Sequence, residues 1–253
     1  MFRVPALALF LVALLVPPAN AAPQTVTGAD GRAVTVADTA RIVAVGGTVT
    51  EILYALGVGD RIVGVDLTST YPAEAMRKPK VGYMRQLAAE GVLALGPSIV
   101  IAIEDAGPPE TIAVLTDASV PFLLVPKAHD AAGVAAAIRL IADAVGESAR
   151  GAEIAAGVEA DLATLESMLG RIATPRKAVF VLGVGGGAPT VAGSGTAAAD
   201  MFALAHVENA MAAADGYKPS SDEAVIASAP DAVVLMADRS FHLGDAQILS
   251  LPA

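Results

Sequence analysis

Short apolar, mostly β-branched runs recur along this chain, separated by stretches whose apolar positions fall at helical spacing. Residues 41–45, 62–65, 98–103 and 122–125 are four such runs. Each is continuous rather than alternating, as expected of strands buried on both faces. Between them the pattern predicts helices over 48–56, 88–94, 109–118 and 131–145. Strand–helix alternation of this kind predicts a parallel sheet with right-handed crossovers. Upstream, residues 24–36 alternate apolar and polar side chains around Gly28-Ala-Asp-Gly31, which predicts a short hairpin.

After Gly146 the pattern changes. Apolar residues fall at 154, 158, 162, 165, 169 and 172, spaced by fours and threes, with Glu153, Glu159, Asp161, Glu166 and Arg171 on the other faces. This predicts one amphipathic helix over 147–172, about seven turns and roughly 39 Å at 1.5 Å per residue. Alternation then restarts, with strands over 178–182 and 231–236 and helices over 197–205 and 222–227. The same program runs twice, so the expected fold class is α/β: two Rossmann-like lobes with parallel sheets, joined by one long helix. The expected divisions are a signal at 1–21, an N-terminal lobe at 22–145, a bridging helix at 146–174 and a C-terminal lobe at 175–253.

A ligand cleft is expected where strand C-termini and the loops after them converge. Two loops stand out there. Residues 66–87 carry Tyr71, Arg77, Lys78, Lys80, Tyr83 and Arg85; Gly183-Val-Gly-Gly-Gly187 is followed by Gly193-Ser-Gly-Thr196 before a helix.

Charge and composition narrow the setting. Arg3, the apolar run from Ala6 to Val16 and Ala19-Asn20-Ala21 read as a secretory signal cleaved after Ala21. The chain has no cysteine, hence no disulfide and no thiol for lipid attachment at the cleavage site. After residue 21 no apolar run reaches the ~18 residues a membrane helix needs. The expectation is a soluble periplasmic protein, not a lipoprotein. A net charge of -10 argues against nucleic acid as a partner. A basic loop in so acidic a chain suggests an anionic ligand.

The candidate chemistry centres on Val81-Gly-Tyr-Met-Arg-Gln-Leu87. A phenolate is a hard donor suited to ferric iron and a recognised haem ligand. A guanidinium two residues away can stabilise that phenolate or pair with a ligand carboxylate. Arg77, Lys78, Lys80 and Lys218 are further candidates for such pairing. The histidines, His129, His206 and His242, form no metal-ligand spacing, and His206 is the one considered as a second axial ligand. The glycine-rich run has no Gly-Lys-Ser/Thr ending and no acidic residue placed for a ribose, so a tight turn or close backbone approach to a flat ligand explains it better than a nucleotide. No Gly-x-Ser-x-Gly elbow marks a hydrolase, and no enzymatic activity is expected.

Arg41-Ile-Val-Ala-Val-Gly-Gly-Thr-Val-Thr-Glu-Ile-Leu-Tyr-Ala-Leu-Gly57 resembles the opening of cluster-A substrate-binding proteins of ABC importers. The Tyr83-Met-Arg85 block and Gly216-Tyr-Lys-Pro-Ser-Ser-Asp-Glu223 resemble their haemin-binding branch, and the likeness runs from about Arg41 to Met236. The resemblance implies two lobes bridged by a long helix, with ferric haem as transported ligand. It implies Tyr83 as the axial ligand of haem iron and Arg85 beside it, with Tyr217 and Lys218 facing the cleft from the second lobe. Glu90 and Glu223 match acidic residues at the lobe tips that dock on an inner-membrane permease dimer. An outer-membrane haem receptor would act upstream. A ferric siderophore or cobalamin on the same scaffold is the alternative ligand. Family members continue past the equivalent of Leu251-Pro252 with a strand and helices, so a reduced or incomplete C-terminal lobe is expected here.

Overall fold

The computed structural model describes residues 23–185 and 188–235. The expected signal, Gly186 and Gly187 of the glycine run, Met236, His242 and the chain end considered above lie outside them. A hairpin of β1 (Gln24–Thr27) and β2 (Ala33–Val36) leads into the first lobe. There β3 (Ile42–Val45), β4 (Ile62–Val65), β7 (Ile99–Ile103) and β8 (Phe122–Val125) form an all-parallel sheet in the order β4-β3-β7-β8. The crossovers carry α1 (Gly47–Ala55), α2 (Ala89–Leu93) and α3 (Pro109–Asp117), and α4 (Ala131–Val145) follows the last strand. A small hairpin, β5 (Gly82–Tyr83) with β6 (Gln86–Leu87), occupies the loop after β4.

The continuous apolar runs are buried on both faces because successive side chains point opposite ways. Ile42, Ala44, Ile99, Ile101, Leu123 and Val125 pack on the face covered by α1 and α4. Val43, Val45, Val100, Ala102 and Phe122 pack on the other, against Val92 and Leu115 of α2 and α3. Ile42, Ile99, Ile101 and Leu123 have no solvent exposure, each worth about 1.5–3 kcal/mol of transfer free energy.

α4 ends on Gly146 in the left-handed conformation (φ 78), and α5 (Ser148–Leu169) starts at once. Arg61 fastens this corner, donating to Val145 O at 3.2 Å and pairing with Glu147 at 3.0 Å. The bridging helix spans 22 residues, shorter at both ends than its apolar spacing suggested. Only its first half packs on the first lobe: Ile154 and Val158 meet that core, whereas Leu165 is 36% exposed and Ile172, past the helix end, 49%.

In the second lobe β9 (Lys177–Gly185) pairs in parallel with β11 (Glu208–Asn209) and β13 (Ala232–Leu235). It pairs antiparallel with β10 (Ala188–Ala192), which continues antiparallel to β12 (Tyr217–Pro219). The sheet is therefore mixed, with a hairpin at the glycine-rich run that strand–helix alternation did not signal. α6 (Ala197–Leu204) and α7 (Asp222–Ala227) complete the described part. Its buried core is small, built on Val179, Val181 and Val191. No described helix is long and apolar enough to cross a membrane.

Candidate ligand-binding cleft

Tyr83 is held by its hairpin. Gly82 sits at φ +102, a conformation that L side chains rarely adopt, and this starts the turn. Leu67 N–H donates to Gly82 O at 2.9 Å, and Gly107 N–H donates to Met84 O at 2.9 Å, so the hairpin is tied to the segments after β4 and β7. Beneath it, buried Asp66 accepts from Gly46 N–H at 2.9 Å and from the Ser69 hydroxyl at 2.7 Å with one oxygen. Its other oxygen takes Thr68 N–H at 2.8 Å and the Thr68 hydroxyl at 2.6 Å. A fully hydrogen-bonded buried carboxylate of this kind fixes a loop rather than reacting.

Tyr83 is 37% exposed, so its ring stands on an accessible wall. Arg85 donates one guanidinium N–H to the Tyr83 hydroxyl at 2.9 Å and another to Asp105 Oδ2 at 2.8 Å. Lys127 Nζ lies 2.6 Å from the other Asp105 oxygen. Hydrogen bonds to Asp105 and then to Tyr83 raise the Arg85 pKa further, keeping the guanidinium charged. Partial burial on its own would push the Asp105 carboxyl up; the Lys127 and Arg85 contacts outweigh it and bring the group below its ordinary value. Asp105 and Lys127 each follow a strand C-terminus, of β7 and β8.

These groups line a cavity of about 650 Å³ between the lobes, within the range of small-molecule sites. Ile52, Ile103 and Val134 supply apolar lining from the first lobe, and Leu182 from the second. Gly195, Thr196, Gly216 and Tyr217 form the opposite wall. Thr196 caps α6, accepting from Ala199 N–H at 3.1 Å, and Gly193 N–H donates to Gly216 O at 2.9 Å. Across the gap the His129 ring meets Asp200 of α6 at 2.8 Å, a direct side-chain contact between the lobes.

The cleft thus brings together Tyr83, Arg85 and Tyr217. Lys218 does not line it: one residue along β12 from Tyr217, it belongs to the opposite face of the strand and is exposed. Arg77, Lys78 and Lys80 are also outside its lining, and Lys80 Nζ instead reaches Ser69 O at 3.5 Å and Ala75 O at 3.3 Å within its own loop. His206, weighed and disfavoured as a second axial ligand, lines a separate cavity of about 510 Å³ with His129, Leu162 and Leu165. Among the described residues no group of three or more His, Asp or Glu could hold a metal ion. Glu90 and Glu223 each stand second in a short helix, α2 and α7, and both are exposed. Sequence reasoning missed Asp105, Lys127 and Asp200, and named His129 only to set it aside as a metal ligand. The available signal was position: Asp105 and Lys127 each lie two residues past the end of a buried apolar run.

The family model described as "Periplasmic binding protein" matches residues 42–252. The uncharacterised ABC transporter substrate-binding lipoprotein YvrC of Bacillus subtilis is 31% identical over 84% of this chain and 68% of its own length. A shorter match, to the vitamin B12-binding protein of Vibrio cholerae, is 36% identical over 30% of this chain and 27% of that protein. Among solved structures, the periplasmic haem-binding protein RhuT from Roseiflexus sp. RS-1 is 39% identical with a TM-score of 0.74, covering 79% of this chain and 77% of that one. The periplasmic haem-binding protein BhuT, solved with two haems, is 37% identical with a TM-score of 0.79, covering 84% and 82%. With its two bridged lobes, its inter-lobe cleft and a match over most of its length, the chain belongs to the periplasmic binding protein family.

Proposed function

We propose that this chain is a periplasmic haem carrier: it captures ferric haem between its lobes and delivers it to an inner-membrane ABC permease. The observation that carries this reading is the Tyr83 hydroxyl on the wall of an inter-lobe cavity, with the Arg85 guanidinium 2.9 Å away. A phenolate is a hard oxygen ligand for ferric iron, and the adjacent guanidinium can donate a charge-assisted hydrogen bond to it. Apolar side chains on both walls suit the faces of a porphyrin. Tyr217 extends the opposite wall. Haem is here a cargo. The absence of cysteine favours a soluble exported form over a lipid-anchored one. The divisions at 146 and 175, the docking roles of Glu90 and Glu223 and an upstream outer-membrane receptor belong to the same proposal.

The similarity to two haem-binding structures over about four-fifths of the chain favours haem over cobalamin, whose binding proteins match over only 30–35% of it. Optical titration with haemin tests it. The expected product is a five-coordinate, high-spin ferric spectrum that Tyr83→Phe abolishes or strongly weakens. An identical spectrum and affinity in Tyr83→Phe would favour a ferric siderophore or cobalamin, with the phenol serving only to stack or hydrogen-bond.

A further inference from the structure

The first-lobe wall of the cleft carries two cations on one carboxylate. Arg85 takes Asp105 Oδ2 at 2.8 Å and Lys127 takes Oδ1 at 2.6 Å, so the two cations share a single carboxylate. The two cations are not equivalent. Arg85 is committed at both ends, to Asp105 and to the Tyr83 hydroxyl. Lys127 has three N–H donors and one carboxylate partner, and its side chain is 42% exposed. Its backbone N–H donates to Glu104 Oε2 at 3.1 Å, which fixes the main chain at the cleft edge. The remaining ionisable side chains of the lining, His129 and Asp200, are engaged with each other. Lys218, Arg77, Lys78 and Lys80 lie off the cleft lining. An anionic group entering beside Tyr83 therefore meets Lys127 as the cation with donors to spare.

We propose that Lys127, positioned by Asp105, is the carboxylate-recognising residue of the cleft and selects porphyrins with ionised side-chain carboxylates over the same ring esterified. The assignment rests on the haem reading but does not depend on iron ligation. Its test uses iron-free protoporphyrin IX and its dimethyl ester, followed by fluorescence, alongside haemin followed by absorbance. Lys127→Met is expected to weaken protoporphyrin IX and haemin roughly fivefold, the size of a partly exposed charge pair, and the dimethyl ester less than twofold. Lys127→Arg should restore most of the loss. Far-UV circular dichroism and thermal melts of the ligand-free variants check that each is folded, and Lys127→Gln provides a second neutral variant. Equal loss for acid and ester, or no loss for either, overturns the role of Lys127 while leaving haem binding intact. Failure of wild-type protein to bind either acid overturns the haem reading, and this assignment falls with it.

Discussion

At the scale of single residues, the cleft is organised by Asp105, the carboxylate shared by both of its cations. It holds Arg85 against the Tyr83 hydroxyl and Lys127 at the edge, so one carboxylate sets two cations. Arg85→Ala keeps the hydroxyl but removes its donor. Haemin affinity should fall roughly three- to tenfold with the five-coordinate spectrum retained, because the lost contact is charge-assisted but half-exposed. Loss of the spectrum itself would mean that Arg85 is needed for ligation. Asp105 also makes a pH prediction. Its folded pKa lies below the ordinary carboxylate value, since contacts with Lys127 and Arg85 outweigh the opposing effect of burial. Such a group stabilises the fold at pH above its unfolded value, and the contribution disappears as pH falls through the folded one. Denaturant melts of ligand-free protein should show Asp105→Asn less stable than wild type near neutral pH. The difference should narrow steadily once pH drops below the ordinary carboxylate range; a constant gap would show that charge is not its origin.

At the scale of elements, apolar periodicity carried much of the information. Residues 62–65, 122–125 and 131–145 form β4, β8 and α4 with the bounds read from the pattern alone, because each is packed by its own lobe. The bridging helix was legible as a helix but not in its burial. Its spacing presents one apolar stripe throughout, yet among the described residues only the N-terminal half packs on the first lobe's core. The hairpin carrying Tyr83 and the pairing of β12 with β10 were not legible, since β5, β6 and β12, of two or three residues each, are set by tertiary hydrogen bonds rather than periodicity. Tyr83 and Arg85 could be paired from their spacing; Asp105 and Lys127, 20 and more residues away, are brought to them by the sheet. Two glycines of α5 turn this account into a stability prediction. A Cβ on Gly151 would enter the space of the Ala142 methyl where α5 crosses α4, whereas one on exposed Gly157 meets nothing. Gly151→Ala should cost about 1–3 kcal/mol by overpacking, and Gly157→Ala should gain about 0.5–1 kcal/mol from helix propensity. Urea unfolding of both variants measures this, and equal effects would refute the close approach.

At the scale of the whole molecule, each lobe carries a matching acidic helix start, proposed above as its docking tip. Glu90 is the second residue of α2 and Glu223 the second of α7, and each helix is followed by a glycine- or serine-containing turn, a proline and a buried or paired strand. The Glu223 carboxyl is held below its ordinary value by its own backbone N–H and the Ser221 hydroxyl, so it remains ionised on an exposed surface. Two exposed acidic side chains in equivalent places suit a partner built from two like subunits, each offering a cation, because complementary charge fixes orientation and encounter more than it adds affinity. Both carboxylates lie outside the cavity lining, so docking and ligand capture should separate. Glu90→Lys and Glu223→Lys are each expected to lower haem-dependent stimulation of permease ATPase in proteoliposomes, and the double variant to lower it further. Haemin titrations of all three should match wild type. If both charge reversals leave stimulation unchanged, the tips are ordinary solvated helix starts and the permease reads another surface. If haemin binding falls with them, the carboxylates act through the lobes' relative placement, which His129 and Asp200 span at 2.8 Å.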